Sequence, residues 1–210
     1  MGRLCTCAWI LSVPALAAAS DLTTILREVE NRYNRARSLE VFFEQSYKGQ
    51  GRAWKPERGR LWLRKPGKMR WEYSQPEGKL YITDGRYAYL YTPSSNEVQR
   101  TRIKQTEDLR APLAFLLGRL DFKRDFKRFV WRVEGNGYRV VAEPHSDRLV
   151  FTEVEFLVDE ERRIRQVRVT GQDRSVMEFR FEGERLNPPV NEEWFVFRAP
   201  PGVTVVESTL

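Results

Sequence analysis

The stretch spanning residues 59–91 constrains the fold of this 210-residue chain more than any other segment. Four short runs of apolar and aromatic residues alternate there with three turn signals: KPGK at 65–68, QPEG at 75–78 and DG at 84–85. Proline followed by glycine, and Asp-Gly, favour the backbone angles of tight turns between strands. The stretch therefore predicts a β-meander.

Alternation along these runs predicts two unlike faces, because successive side chains of a strand point to opposite sides of the sheet. One face is expected to carry Leu61, Leu63, Met69, Trp71 and Tyr73. The other face is expected to carry Trp62, Arg64, Arg70 and Glu72. The first face is apolar and the second is mostly charged.

The rest of the chain predicts one long helix and further strands. Apolar residues recur at intervals of three and four after Asp21, which indicates an amphipathic helix with Leu22, Ile25, Leu26, Val29 and Tyr33 on its apolar side. The period then changes to two, and strands are predicted around 39–47, 96–103, 129–134, 138–143, 151–159, 163–170, 174–182 and 193–198. About ten or eleven short strands with hairpin spacing favour one mainly β domain with an antiparallel, barrel-like sheet.

The β pattern stops between residues 107 and 128. Pro112 suits the first turn of a helix, and leucines follow it at helical spacing: Leu113, Leu116, Leu117 and Leu120. A second short helix is predicted over 121–128, where Phe122 and Phe126 lie four residues apart. The residues alone leave open whether these helices form a lid or a crossover that covers one end of the sheet.

Residues 1–19 have the features of a secretory signal peptide. Arg3 precedes an apolar stretch that ends in three alanines at 17–19, and small residues are what signal peptidase accepts. Cleavage would leave residues 20–210 as a single domain, and an uncleaved N-terminal anchor is the alternative. Cys5 and Cys7 both lie in this leader, so the mature chain would offer no thiol for a disulfide or a metal site.

The mature chain offers little for catalysis. Its single histidine, His145, lies in a polar turn beside Ser146 and Asp147, and neighbours in sequence seldom adopt triad geometry. The scattered carboxylates lack metal-loop spacing, and no glycine-rich phosphate loop occurs. We therefore expect no enzyme, no catalytic residue, no metal and no cofactor. A net charge of +7 is compatible with nucleic acid, an anionic membrane or an acidic partner, and for a secreted chain we expect no nucleic acid.

Segments from the meander to the C-terminus form an ordered set that characterises one protein family. The set comprises the strand and Pro-Gly turn at 59–68, RWEY at 70–73, ITDGR at 82–86, YLY at 89–91, APL at 111–113, LLG at 116–118 and FVFRAPPGV at 195–203. In this order, these segments resemble the periplasmic outer-membrane lipoprotein carrier family, the LolA type. The resemblance covers nearly the whole mature chain.

The resemblance implies a half-open, strongly curved antiparallel sheet with an N-terminal helix and short lid helices over its concave face, which holds the acyl chains of a lipoprotein. Six Trp, eight Tyr and twelve Phe supply the apolar surface, although a filled core is the alternative use of each one. The predicted cavity is lined by Leu61, Leu63, Met69, Trp71, Tyr73, Leu80, Ile82, Tyr89 and Tyr91. The predicted lid comprises Pro112, Leu113, Leu116, Leu117 and Leu120.

Lys65 stands where the family has a residue with a special role. Carriers of this type have a basic residue, usually arginine, before the turn proline, and it hydrogen-bonds the lid helices and holds the empty form closed. Lys65 is a departure, because an ammonium group lacks the planar donor fork of a guanidinium. It could cap the C-terminus of a helix, and it is the predicted lid latch.

The resemblance implies a monomeric periplasmic chaperone for lipoprotein transport. Such a carrier takes acylated lipoproteins from an inner-membrane lipoprotein-release ABC complex and passes them to an outer-membrane lipoprotein receptor. The alternative is an envelope sensor of similar fold that binds lipid or lipoprotein and regulates a membrane partner. The sequence leaves open whether the cargo is a lipoprotein or a free lipid, because acyl chains look alike to an apolar wall.

Overall fold

The computed structural model describes residues 21–49, 51–53, 55–103, 120–147 and 149–207. Within this part the chain is mainly β, with a long helix α1 (Leu22–Arg35) and a short helix α2 (Phe122–Asp125). The carbonyl of Asp21 accepts hydrogen bonds from the backbone N–H groups at the start of α1. Neither of these two helices combines the length and the apolar character of a membrane-crossing segment.

Within the described ranges, thirteen strands belong to the sheet. Those before the predicted lid are β1 (Ser38–Gly49), β2 (Arg52–Ala53), β3 (Glu57–Arg64), β4 (Lys68–Gln75), β5 (Leu80–Asp84), β6 (Tyr87–Thr92) and β7 (Glu97–Arg102). Those after it are β8 (Phe126–Glu134), β9 (Gly137–Pro144), β10 (Phe151–Val158), β11 (Ile164–Gly171), β12 (Val176–Leu186) and β13 (Thr204–Glu207).

The strands form one curved, open sheet. Their order is β13-β7-β6-β5-β4-β3-β1-β12-β11-β10-β9-β8, and β2 pairs with β1 beside this path. The two ends of the path, β13 and β8, are not neighbours, so the described strands leave the barrel open. The prediction of a half-open antiparallel sheet is confirmed, with one local exception: β13 runs parallel to β7.

The main apolar core lies between α1 and the inner face of the sheet. The apolar stripe of α1 is buried as the sequence period predicts: Ile25, Leu26, Val29 and Tyr33. Both halves of the sheet contribute buried side chains, among them Val41, Leu61, Trp71, Phe156, Val167 and Phe179. One helix thus covers the middle of a wide sheet and packs against residues from both sides of the β1–β12 junction.

The prediction of a strand at 193–198 is wrong. This segment begins with a 3-10 helix, Glu192–Phe195, and its backbone does not pair along a strand. The carbonyl of Trp194 instead accepts a hydrogen bond from the Arg70 side chain at 3.1 Å. The aromatic residues that suggested an alternating strand lie across the outside of the meander.

The predicted lid is described only at its end. Pro112, Leu113, Leu116 and Leu117 lie outside the described residues. Leu120 is buried, and its backbone N–H and carbonyl both bond the side-chain amide of Asn34 on α1, at 2.7 and 2.8 Å.

The helix predicted over 121–128 is shorter than expected. It ends at Asp125, because Phe126 already pairs with Pro144 and begins β8.

Candidate functional site

Five of the nine predicted cavity residues lie together on the inner face of the sheet. They are Leu61, Leu63, Met69, Trp71 and Tyr73, and each is almost completely buried. Phe43 on β1 packs edge-on against Trp71 and Tyr73, with ring centroids 4.7 and 5.0 Å apart. Phe179 on β12 approaches Trp71 from the other half of the sheet, at 5.4 Å. The inner face is therefore a continuous apolar and aromatic surface.

The other four predicted residues lie on the outer face, which corrects the prediction that all nine share one surface. Ile82 on β5 lies opposite Arg70, whereas Tyr81 lies opposite Trp71. Residues directly opposite each other in an antiparallel pair point to the same side, so Ile82 shares the side of Arg70. Strand β6 continues this register, and the outer set comprises Leu80, Ile82, Tyr89 and Tyr91.

The sequence pattern could not assign β5 to a face because this strand is apolar on both sides. Tyr81 and Thr83 are buried on the inner side, and Ile82 is buried on the outer side. Tyr81 is the buried inner-face aromatic residue of β5 that the sequence analysis missed. Counting opposite partners across the β4–β5 turn from Trp71 would have identified it.

The outer face is covered by residues 188–203, which we call the outer cover. Trp194 packs on Trp62 with ring centroids 5.6 Å apart, and Phe197 stacks on Tyr89 at 5.1 Å. Phe195 is almost fully buried. Apolar residues can occupy the outer face because the outer cover, far along the chain, shields them from water.

Ion pairs tie the outer cover to the β3–β4 hairpin. The Glu192 carboxylate lies 2.5 Å from both Arg64 and Lys68. The hydrogen bond from Lys68 lowers the pKa of the Glu192 carboxyl below its ordinary value. The outer cover is thus held by charge as well as by aromatic packing.

The inner face is covered by α1, which we call the inner cover. Its attachments outside the apolar core are polar side-chain bonds. The Tyr33 hydroxyl donates to Glu184 at 2.5 Å and accepts from the backbone N–H of Ile164 at 2.8 Å. Arg32 pairs with the same carboxylate at 2.5 Å. Burial, together with the Glu184 charge, raises the pKa of the Tyr33 hydroxyl well above its ordinary value.

Lys65 reaches the inner cover. Its ammonium group donates a hydrogen bond to the backbone carbonyl of Tyr33 at 2.8 Å, near the C-terminal end of α1, where a cation is favoured by the unpaired carbonyls and the helix dipole. Burial lowers the pKa of the Lys65 ammonium. The described contact is thus with α1, and the lid helix that the prediction named as the partner of Lys65 lies outside the described residues.

One gap between the inner cover and the sheet is very small. A gap of about 10 Å³ is lined by Tyr33, Leu39, Val41, Leu61, Ile164, Phe181 and Glu184. Such a volume is roughly that needed by a single water molecule. An acyl chain could enter here only if the inner cover moved away from the sheet.

In the polar turn around His145, the histidine and Asp147 contact other residues. The His145 ring lies 3.1 Å from the backbone carbonyl of Lys123, and Asp147 pairs with Lys127 at 3.0 Å. Among the described residues, no group of three or more His, Cys, Asp or Glu side chains is arranged to hold a metal ion.

Several solved structures are similar to this one. An uncharacterized conserved protein from Thermus thermophilus superposes with a TM-score of 0.51 at 12% identity, over 89% of this chain and 98% of that one. A LolA superfamily protein from Nitrosomonas europaea gives 0.47 at 10% identity, over 85% and 99%. A putative outer membrane lipoprotein-sorting protein domain from Vibrio parahaemolyticus gives 0.47 at 12%, over 81% and 95%.

The likeness to the Thermus thermophilus protein concerns the fold, whereas a family model matches the sequence itself. The model of the outer membrane lipoprotein carrier protein LolA matches residues 34–198. This range runs from the end of α1 through the meander and the core strands to the outer cover. The chain therefore belongs to the family of the outer membrane lipoprotein carrier protein LolA.

Proposed function

We propose that this chain is a periplasmic carrier that binds the acyl chains of lipoproteins at the inner face of its sheet and transports them from the inner to the outer membrane. The way this face is closed supports the proposal. Its apolar residues are covered by α1, and polar side-chain bonds at Tyr33 and Lys65 attach α1 to the sheet. Such bonds can be released without breaking a β-ladder, so acyl chains can take the place of the helix.

Exchange between cover and cargo keeps the free-energy difference between empty and loaded forms small. Each methylene group moved from water to an apolar site contributes about 0.8 kcal/mol, so several acyl chains would bind tightly by this term alone. When the cargo leaves, Val29 and Tyr33 of the inner cover bury the same surface again. This reburial offsets much of the free energy lost on cargo release.

The proposed route is the one that the family resemblance implies. A triacylated lipoprotein cannot cross an aqueous compartment with its chains exposed, and the carrier would receive it from an inner-membrane ABC release complex and deliver it to an outer-membrane receptor. Residues 1–19, which lie outside the described part of the chain, would act as the cleaved signal peptide. Residues 20–210 would form the monomeric carrier domain.

Site-specific photocrosslinking tests where the cargo binds. The photoreactive residue p-benzoylphenylalanine replaces Tyr73 on the inner face or, as the matched control, Tyr89 on the outer face. Both sites are tyrosines, on the two strands that flank β5, so the two variants differ mainly in the face they report. After incubation with a triacylated lipopeptide and irradiation, we expect a crosslink from position 73 and none from position 89.

Equal crosslinking from both positions, or crosslinking from position 89 alone, would contradict binding at the inner face. Native mass spectrometry of protein purified from periplasm adds an independent measurement. A co-purifying acylated peptide supports transport, whereas bare protein that turns over an ester substrate would point to an enzyme.

A further inference from the structure

Four neighbouring chain segments lie together where strands of the sheet end: the α1–β1 connection, the β3–β4 turn, the β5–β6 turn and the end of β7. Hydrogen bonds join them in sequence. The Lys65 N–H donates to the Arg37 carbonyl at 2.9 Å, and the Ile103 N–H donates to the Arg86 carbonyl at 3.2 Å. Between these, the Thr83 hydroxyl donates to the Gly67 carbonyl at 3.0 Å. We call this group of turns and strand ends, with Arg35, Arg37, Lys65, Arg86 and Arg102, the basic rim.

The four arginines of the basic rim are exposed, and none of them pairs with a carboxylate within the described part of the chain. Elsewhere on the sheet, exposed arginines commonly have such a partner, as Arg128 has Glu143 and Arg180 has Glu178. The carboxylate of Asp84, also on the rim, accepts hydrogen bonds within its own turn, from the backbone N–H groups of Arg86 and Tyr87 at 2.7 Å. The positive charge of the rim is therefore left for a ligand.

An aromatic ring lies among these arginines. The guanidinium carbons of Arg86 and Arg102 lie 5.6 and 5.9 Å from the ring centroid of Tyr87. A tyrosine beside several arginines suits a membrane interface, where its ring sits at the level of the headgroups. Guanidinium groups bind phosphate with two parallel hydrogen bonds.

We propose that the basic rim docks this protein on an anionic phospholipid surface. The charges of the basic rim come from several separate chain segments, and this wide spacing suits a fluid layer of headgroup phosphates. A folded acidic protein would instead require a central apolar anchor surrounded by paired charges. This docking goes beyond the carrier function and does not require cargo in the sheet.

Vesicle co-sedimentation tests the proposal with the purified protein. Vesicles containing phosphatidylglycerol should bind the protein more weakly as salt increases, because exposed charges are screened, and phosphatidylcholine vesicles should not bind it. Each basic residue near an anionic surface strengthens binding about fivefold. The rim variant Arg35→Gln, Arg37→Gln, Arg86→Gln, Arg102→Gln should therefore bind at least about a hundredfold more weakly.

The matched control changes the same net charge away from the rim, with Arg58→Gln, Arg128→Gln, Arg168→Gln and Arg180→Gln. It should retain nearly all vesicle binding. An equal loss in both variants would mean that net charge alone acts, and it would overturn the proposal. The proposal would also be overturned if the wild-type protein did not bind the vesicles. It would likewise be overturned if the protein bound soluble polyglutamate equally well and the rim variant lost that binding too. Neither result would alter the crosslinking expected from position 73.

A second inference rests on the proposed function and on a different observation. The indole N–H of Trp71 is completely buried, and the structure gives it no hydrogen-bond partner. A buried donor without a partner costs free energy, and an acceptor that arrives with the cargo would remove this cost. We propose that Trp71 Nε1 donates a hydrogen bond to an ester carbonyl of the bound acyl chains.

The variant Trp71→Phe keeps an aromatic ring and removes the donor. It should weaken binding of an ester-linked triacylated lipopeptide about fivefold more than it weakens binding of the ether-linked analogue, which has no ester carbonyl. An equal change for both ligands would refute the hydrogen bond. Crosslinking from position 73 would still support the carrier function in that case.

Discussion

The two faces of strands β3–β6 are both apolar and both covered, but their covers are attached differently. The inner cover, α1, is attached by side-chain bonds such as those of Tyr33 and Lys65. The outer cover continues into β13, whose backbone pairs with β7. Apolar alternation therefore identifies surfaces that will be buried, whereas the attachment of the cover decides whether a surface can be exposed again.

The two covers are also expected to respond to pH in opposite directions. The pKa of Tyr33, at the inner cover, is raised by burial and by the Glu184 charge. The pKa of Glu192, at the outer cover, is lowered by the hydrogen bond from Lys68. A group whose pKa is raised in the folded state stabilises that state at pH values below its ordinary pKa. A group whose pKa is lowered stabilises the folded state at pH values above its ordinary pKa. Alkali should therefore loosen the inner cover and acid the outer one.

The largest effect is expected from truncating the centre of the inner face. Trp71→Ala removes a completely buried ring from the core, and the free energy of unfolding should fall by about 3 to 5 kcal/mol. Trp194→Ala is the matched change in the outer cover, and because this residue is 39% exposed, the loss should be about 1 kcal/mol. Urea denaturation measures both. Equal losses would mean that the two faces contribute alike to the free energy of unfolding.

Removal of the Tyr33 hydroxyl should weaken the inner cover. Tyr33→Phe leaves the Ile164 N–H and the Glu184 carboxylate without this partner, at a cost of about 1 to 3 kcal/mol in unfolding free energy. Wild type should also lose stability as pH rises above the ordinary tyrosine pKa of 10.0, because unfolded Tyr33 releases its proton while folded Tyr33 retains it.

The Tyr33→Phe variant should lack this part of the alkaline loss, and the difference between the two unfolding curves above pH 10.0 isolates it. Tyr91→Phe on the outer face is the control and should follow wild type. If the wild-type and Tyr33→Phe curves stay parallel above that pH, the role of Tyr33 in the pH response is refuted.

A smaller effect is expected at the β3–β4 turn, which carries one lysine for each cover. Lys65→Leu removes the hydrogen bond to Tyr33 and favours the open form, so a triacylated lipopeptide should bind about fivefold more tightly and be handed on more slowly. Lys68→Leu affects the bond to Glu192 at the outer cover and should leave lipopeptide binding unchanged. Unaltered hand-off by Lys65→Leu would exclude this lysine from the mechanism.

The smallest effect is expected from Glu192→Gln. At neutral pH the amides of Trp194 and Val196, which are bonded within the 3-10 turn, should exchange with deuterium slightly faster than in wild type. The difference should begin to shrink as pH falls below the ordinary carboxyl pKa of 4.5 and should vanish only below the lowered pKa of folded Glu192, where the wild-type side chain is also neutral. Exchange in α1 serves as the control and should not change.

Much of the architecture could be predicted from local patterns. The spacing of Ile25, Val29 and Tyr33 identified α1, and the alternation from Leu61 to Tyr73 identified the inner face, because both depend only on periodicity within one element. The face of Ile82 could not be obtained in this way. Its strand is apolar on both sides, and only the register across the turn assigns each residue.

The sequence by itself determined a mainly β chain with a strongly apolar sheet face and an amphipathic helix, since hydrophobic periods of two and of 3.6 residues specify these elements locally. Tertiary structure alone decided which residues share the inner face, that the aromatic C-terminal segment covers the outer one, and that Lys65 meets the end of α1. The physical reason is that these contacts join residues far apart in sequence, and no local pattern records which partner a buried side chain will find.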